Sequence, residues 1–496
     1  MSTRRIDSVP SWPASSCRGL AVVLCLALAT LPAFPAAPAG EGPAVITAQS
    51  AVRVWPDQIG YRADARKILI VASDRPLPEI LLLELRDAKT DRAIRKFTTS
   101  SPQLVPFRDG KKDGESGEYT AHLDLSDVRT PGRYYVAIPG EQTERSYAFA
   151  IAATVHRAAA VATWKAMYYQ RADTAKPAKY AGLWTHELAH HGPNQATKAR
   201  VYKWSGKPHW DPIGTEVLDP TPRDVHGGWW DAGNFDKYIG NTTLCHNDLL
   251  LGIQLLGDAA AADGCDGLLN IPESGNGAPD VLDEVRWGTE WFLRMADETG
   301  AAFSRVYEKP SCPPEKDTSP VQILGPCSGA TMNRAAVLAY AAAVWREPPF
   351  AKLDPAFARR CLDESLKSWR LLEKKPHPWP ADPAKPGKMA YGGWWFTADY
   401  QRCRALAAAC YFRLTDDQKY HTIVKEIAAT WKHLRPGEDG DMLPTIWVYL
   451  HTPGADPELK KRVRKMVLDV GAAVVKQTGR HRGYAAGLRG YWWGSN

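Results

Sequence analysis

The run His226-Gly227-Gly228-Trp229-Trp230-Asp231-Ala232-Gly233-Asn234-Phe235-Asp236-Lys237-Tyr238 gathers glycines, aromatic rings and two carboxylates into one turn-prone stretch. Glycan chemistry uses these parts. An aromatic face packs against the C–H face of a sugar ring, and a carboxylate on a glycine-shaped loop holds a water for attack at the anomeric carbon. Asp231 and Asp236 are the candidate acids, Asn234 lies between them, and Trp229, Trp230 and Tyr238 are the candidate sugar contacts. Nineteen tryptophans in 496 residues, with further pairs at Trp394-Trp395 and Trp492-Trp493, favour surfaces that stack flat ligands over core packing alone. A Trp-Asp pair beside glycine is by itself more often structural than catalytic, so the rest of the chain decides.

The elements that must position this run change texture along the chain. From about Val52 to Ile151 the pattern has period two, as in Tyr119-Thr120-Ala121-His122-Leu123 and Arg133-Tyr134-Tyr135-Val136, broken by turn signals such as Thr130-Pro131-Gly132. A small β-sandwich over 52–151 is predicted. After Thr154 the period becomes helical: Val281, Val285, Gly288, Phe292 and Met295 fall on one stripe of a helix opened by Pro279-Asp280. Nine helical segments are predicted, at 154–171, 241–262, 279–297, 331–347, 355–375, 398–415, 416–434, 443–451 and 457–478. The connections 172–240 and 299–330 are far longer than ordinary helix-to-helix loops, and their Trp, His and Gly content points to function.

With 44% apolar and 24% charged residues, the composition is that of a chain able to bury a core. Sixty-two Lys and Arg against 55 Asp and Glu leave a dispersed +7, too weak to imply a nucleic-acid partner. Leu20 to Leu31 is about a dozen apolar residues, short of a membrane span, with basic residues before it and small residues Ala33 to Ala39 after it. Residues 1–39 therefore read as a signal peptide cut after Ala39, which predicts an exported, secreted or periplasmic product with no membrane association once the leader is removed. Cys17 and Cys25 leave with it; of the remaining seven cysteines, Cys312 and Cys327 flank a Pro-rich loop and are spaced for a disulfide.

Four strings give the chain a family likeness. They are Trp55-Pro56-Asp57-Gln58-Ile59-Gly60-Tyr61; Tyr168-Tyr169-Gln170-Arg171 through Tyr180-Ala181-Gly182; Asn270-Ile271-Pro272-Glu273-Ser274-Gly275-Asn276-Gly277-Ala278-Pro279-Asp280-Val281-Leu282-Asp283-Glu284; and Trp493-Gly494-Ser495-Asn496. In these the sequence resembles glycoside hydrolase family 9, the inverting cellulases, in the subgroup with an N-terminal immunoglobulin-like domain. The resemblance implies an immunoglobulin-like β-sandwich at 52–151 followed at 154–496 by an all-α (α/α)6 barrel. It also implies an open cleft for β-1,4-glucan or cello-oligosaccharides, with Trp394, Trp395 and Trp493 as further sugar contacts.

Departures from the family pattern qualify that inheritance. The family loop reads Asp-Ala-Gly-Asp, the second Asp being the general base and the first helping to hold the water. Asp231 matches the first, but Asn234 stands at the base position, and an amide accepts no proton from water at a useful rate. Asp236, two residues on, or Asp231 alone is the candidate rescue. The cysteine positions of a structural zinc site in some relatives correspond to Ala172 and Ala189, so no zinc is expected; a structural calcium is left open, with no ligands assigned. Nine helices of twelve are predicted and the family's acid-bearing segment is not found, which reads as a barrel shortened at its C-terminal end. A shortened barrel would leave apolar stripes exposed around Val161, Trp164 and Met167 and around Val463, Met466, Val467 and Val470. Glu438, Asp439 and Asp441 read as a solvated turn, and Glu273, Asp280, Asp283 and Glu284 as supports for a loop and helix start.

The expected function is hydrolysis of β-1,4-glucan or a related β-glucan with inversion, impaired by Asn234 and by the absent acid segment. The alternatives are a glucan-binding protein without turnover and, least favoured, another (α/α)6 polysaccharide-active protein such as a lyase.

Overall fold

The computed structural model describes residues 52–139, 144–188, 196–205, 213–231, 235–262, 264–307, 321–381, 398–435, 438–480 and 483–484. They divide into two compact units: residues up to Val161 together with those from Leu468 onward, and Ala162–Val467.

The first unit is a β-sandwich. One sheet has the order β1-β2-β6-β5, from Val52–Trp55, Ile68–Ser73, Tyr119–Asp124 and Leu104–Pro106. The other runs β4-β3-β7-β8, from Ala93–Thr98, Leu82–Asp87, Gly132–Ile138 and Glu144–Arg145, with β9 (Phe149–Ile151) also on β7. Every pairing is antiparallel. Alternate residues face inward, so Leu69, Val71, Leu83, Leu85, Leu123 and Val136 meet in one core with Phe97 and Phe149. The Trp55–Tyr61 string forms the turn after β1. Asp57 Oδ1 accepts from the backbone N–H of Ile59 at 2.8 Å, and Tyr61 donates its hydroxyl to the carbonyl of Ile68 at 2.8 Å. Gly60 is required there: its φ is +104°, and a Cβ would lie 2.5 Å from the Ala150 carbonyl oxygen.

The second unit is built on helices. All nine predicted helices are present, as α1 (Arg157–Gln170), α3 (Ile239–Leu256), α4 (Asp280–Arg294), α5 (Ser328–Trp345), α6 (Pro355–Lys374), α7 (Tyr400–Thr415), α8 (Gln418–Ala429), α9 (Leu443–Leu450) and α10 (Pro457–Arg480). A single turn, α2 (Ala178–Ala181), brings the α-helices to ten among the described residues. Helix α5 is buried on every face and packs against α3, α6 and α7, which explains its run of alanines: a central helix has no side to give to charge. Its N-cap is Cys327, whose Sγ accepts from the Ala330 N–H at 3.3 Å. Cys312, the expected disulfide partner, lies outside the described residues.

The long connections are not irregular as expected. They form a five-stranded sheet ordered β11-β10-β14-β13-β12, from Ile213–Arg223, Ala199–Trp204, Gln322–Pro326, Phe303–Tyr307 and Lys237–Tyr238. The expected exposed stripes are also corrected in part. Trp164 on α1 is buried, and so are Val463 and Met466 on α10, whose first turns are tied down by Arg462 donating to the Ala428 carbonyl at 2.8 Å and Lys460 donating to the Thr452 carbonyl at 2.7 Å. Leu468 and Val475, further along α10, are exposed.

Candidate active site

The loop that follows Gly228 is held from two sides. From the end of α1, Ala172 N–H donates to the Gly228 carbonyl, while Trp230 N–H donates to the Gln170 carbonyl, each at 2.9 Å. From α4, the Trp287 indole N–H donates to the same Gly228 carbonyl at 2.8 Å, and the Trp229 indole N–H donates to Glu284 Oε1 at 2.9 Å. Gly288 leaves the notch that Trp229 fills; a Cβ there would sit 2.2 Å from the indole.

Arg171 is the keystone of this arrangement. Its guanidinium is buried, meets Glu284 at 3.0–3.2 Å and Glu273 at 2.9–3.1 Å, and lies 4.7 Å from the Trp287 ring centroid. Two carboxylates around one buried cation keep it charged, while burial pushes the Glu284 carboxyl up against the opposing pull of Arg171. Glu273 and Glu284 thus hold a helix end through Arg171 rather than by capping. Asp280, the first residue of α4, does not cap the helix but holds the loop before it: its carboxylate accepts from Gly267 N–H at 2.9 Å, Leu269 N–H at 2.6 Å and the Ser274 hydroxyl at 2.9 Å. Lys237, fully buried, pairs with Asp173 at 2.6 Å and donates to the Val225 and Gly227 carbonyls.

The predicted site residues separate into inner and outer groups. Asp231 is solvent-accessible, and its Oδ1 accepts from the Asn241 side-chain amide at 2.7 Å. The protein mass around it pushes its carboxyl above the ordinary value, opposed by the Asn241 amide and the charge of Arg305. Asp236 is buried, paired with Arg305 and accepting from the Tyr238 hydroxyl at 3.0 Å. Its backbone carbonyl accepts from Asp231 N–H at 2.9 Å, closing the loop. The two acids therefore do not face solvent together: Asp236 is ion-paired inside with Arg305, while Asp231 feels that charge and stays exposed. Trp229, Trp230 and Tyr238 retain 4%, 7% and 3% exposure, which leaves little ring surface for a sugar. Their faces are taken by protein: His246 beside Trp229, Lys176, His186 and Phe235 around Trp230, and Arg305 over Tyr238. Asn234, Trp394, Trp395 and Trp493 lie outside the described residues.

Arg305, Asn241 and the clamp at Arg171 were not singled out from the sequence. Arg171 lies in one of the quoted strings, but Arg305 falls on a short strand without periodic signal. Asp439, expected in a solvated turn, is buried between Arg402 and Arg435, with oxygens at 2.7 and 2.8 Å. Ala172 is buried against Trp230 and offers a metal no donor. Among the described residues no three His, Cys, Asp or Glu side chains are gathered to hold a metal ion.

Residues 157–448, well over half of the chain, match the glycosyl hydrolase family 9 model, and residues 47–143 match the cellulase N-terminal ig-like domain. The chain belongs to glycosyl hydrolase family 9. It is similar to a cellulose 1,4-beta-cellobiosidase of Acetivibrio thermocellus, 29% identical over 388 residues that cover 74% of this chain and 41% of that protein. Endoglucanase D of the same organism is 26% identical over 397 residues, covering 77% of this chain and 58% of that protein. The chain thus spans about half the length of these relatives. A metagenome-derived family 9 endoglucanase of known structure aligns with TM-score 0.66 at 27% identity, over 88% of this chain and 75% of its own. The helical unit of this family 9 chain resembles the (α/α)6 barrels of such neighbours, preceded by its immunoglobulin-like domain. These relatives are O-glycosyl hydrolases by name. Within the family 9 domain, the Arg171 clamp and the loop held by Asp280 give two of the strings noted in the sequence their physical purpose.

Proposed function

We propose that this chain hydrolyses β-1,4-glucan or a related β-glucan by the inverting route, with Asp231 as the carboxylate that holds and activates the water. Membership of family 9 supports the reaction class. The observation that carries the residue choice is that Asp231 meets solvent on a loop tied down at both ends, whereas Asp236 is neutralised internally by Arg305. Asp236 is then a support of the loop, not its base. With Asn234 at the family's base position, Asp231 alone takes the proton of the attacking water, the leaving oxygen takes its proton from solvent water, and turnover is slow. Its raised proton affinity suits a base but narrows its working range: the rate falls on acidification through a pKa above the ordinary carboxylate value of about 3.9. A glucan-binding protein without turnover is the second reading, favoured by Asn234.

Reducing-sugar release from soluble β-glucan tests the assignment. Slow release, abolished by Asp231→Ala, is expected. Release that survives Asp231→Ala removes Asp231 from the mechanism, and glucan binding without any release favours the second reading. Export through residues 1–39 belongs to the same proposal; N-terminal sequencing of the protein recovered outside the cytoplasm should begin at Gly40. No helix among the described residues is long and apolar enough to cross a membrane.

A further inference from the structure

Trp184 is the most exposed tryptophan among the described residues, at 76%, and its neighbour Leu183 is 96% exposed. Large apolar side chains held side by side in water mark a contact surface unless they are free to fold back. Here the main chain that carries them is fixed. Gly182, at φ +60°, turns the chain out of α2 and donates to the Ala178 carbonyl at 2.9 Å, and Trp184 N–H donates to the Ala181 carbonyl at 3.0 Å. Lys176 and His186 exchange both backbone hydrogen bonds, at 2.7 and 3.1 Å, so the stretch between them is a closed loop. Its far side is fastened by the Tyr169 hydroxyl, which donates to the Ala181 carbonyl at 3.3 Å, and by the Asn270 amide, which donates to the Lys179 carbonyl at 3.0 Å.

The same loop is continuous with the candidate active site. His186, two residues after Trp184, sets its ring edge-on to Trp230 with centroids 5.7 Å apart, and the Lys176 ammonium lies 4.6 Å from the Trp230 centroid. Trp230 immediately precedes Asp231. The loop that displays Leu183 and Trp184 is therefore clamped to the residue next to the proposed base.

We propose that Leu183 and Trp184 form a stacking platform for a pyranose ring of the glucan chain, beyond the sugars that flank Asp231. A flat indole with an isobutyl group beside it matches the C–H face of a β-linked glucose, which carries no charge and needs none from the protein. The rings of Trp229 and Trp230, spent inside, leave this role to an aromatic side chain outside. The assignment rests on the β-glucan reading above and makes chain length the quantity the enzyme senses.

Calorimetric titration of the full chain with sulfur-linked cellohexaose and cellobiose, which resist hydrolysis, tests it. Trp184→Ala should weaken cellohexaose binding about three- to tenfold while leaving cellobiose unchanged, and Trp184→Phe should restore most of the loss. Unchanged cellohexaose affinity in Trp184→Ala overturns the platform, as does an equal loss for both ligands, which would report general damage to the loop. A wild-type chain that binds neither sugar overturns the β-glucan reading itself and the platform with it.

Discussion

Gly288 has no side chain because Trp229 occupies the place where one would be. Replacing it with alanine forces a methyl group to within 2.2 Å of the indole of Trp229 and within 3.1 Å of the His246 ring, both buried. Overpacking of this kind costs about 1–3 kcal/mol, so Gly288→Ala should lower the denaturation midpoint measurably, and any glucanase activity should fall with it as the loop shifts. His246 makes a second prediction at this scale. Fully buried between Trp229 and Phe292, and hydrogen-bonded through Nε2 to the Thr289 hydroxyl at 2.8 Å, it has its pKa lowered by burial to about 3. The folded protein keeps this ring neutral while the unfolded chain protonates it below its ordinary value of about 6.5. Its contribution is complete above that value and is lost as pH falls toward 3, at about 1.4 kcal/mol per pH unit. Thermal melts of wild type and His246→Gln across pH 4–7 should differ in acid slope, with the variant flatter; parallel slopes would show that this ring is not the titrating group.

Helix α4 shows how an element places such residues. Its N-terminus receives the loop 265–279 through the buried Asp280, which satisfies the buried Leu269 N–H and, nearer the surface, the Gly267 N–H and the Ser274 hydroxyl. Asp280→Ala orphans the buried Leu269 N–H at about 1–3 kcal/mol, so the variant should lose at least that much in chemical denaturation, whereas replacing a surface carboxylate such as Asp363 should cost almost nothing. The inward face of α4 was legible from its period: Val281, Val285, Gly288, Phe292 and Met295 are all buried. Other helices that bury one stripe were legible for the same reason, whereas α5 is buried on every face. The five-stranded sheet was not legible. Its strands β12 and β13 are two and five residues long, and β10 pairs in parallel with β14, more than a hundred residues away, so no local alternation announced them. At the site, Asp231 could be read from its glycine-rich setting. That Asp236 turns inward could not, because its partner Arg305 lies on β13.

On the scale of the whole molecule, an immunoglobulin-like unit and a family 9 helical unit account for the two textures of the sequence. The helical unit places a solvent-accessible carboxylate, Asp231, on a loop whose supports are a buried arginine clamp and packed indoles. The proposed function turns on a chemical difference expected from the sequence, an amide at position 234 where the family pattern has a carboxylate to accept the proton. The most direct measurement is a proton NMR time course of cello-oligosaccharide cleavage by wild type and Asn234→Asp, following the anomeric signals. Restoring the acid should raise the rate at least about tenfold, with the α-anomer formed first, as an inverting reaction on a β-linkage requires. Formation of the β-anomer first, or an Asn234→Asp rate no higher than that of wild type, would contradict it.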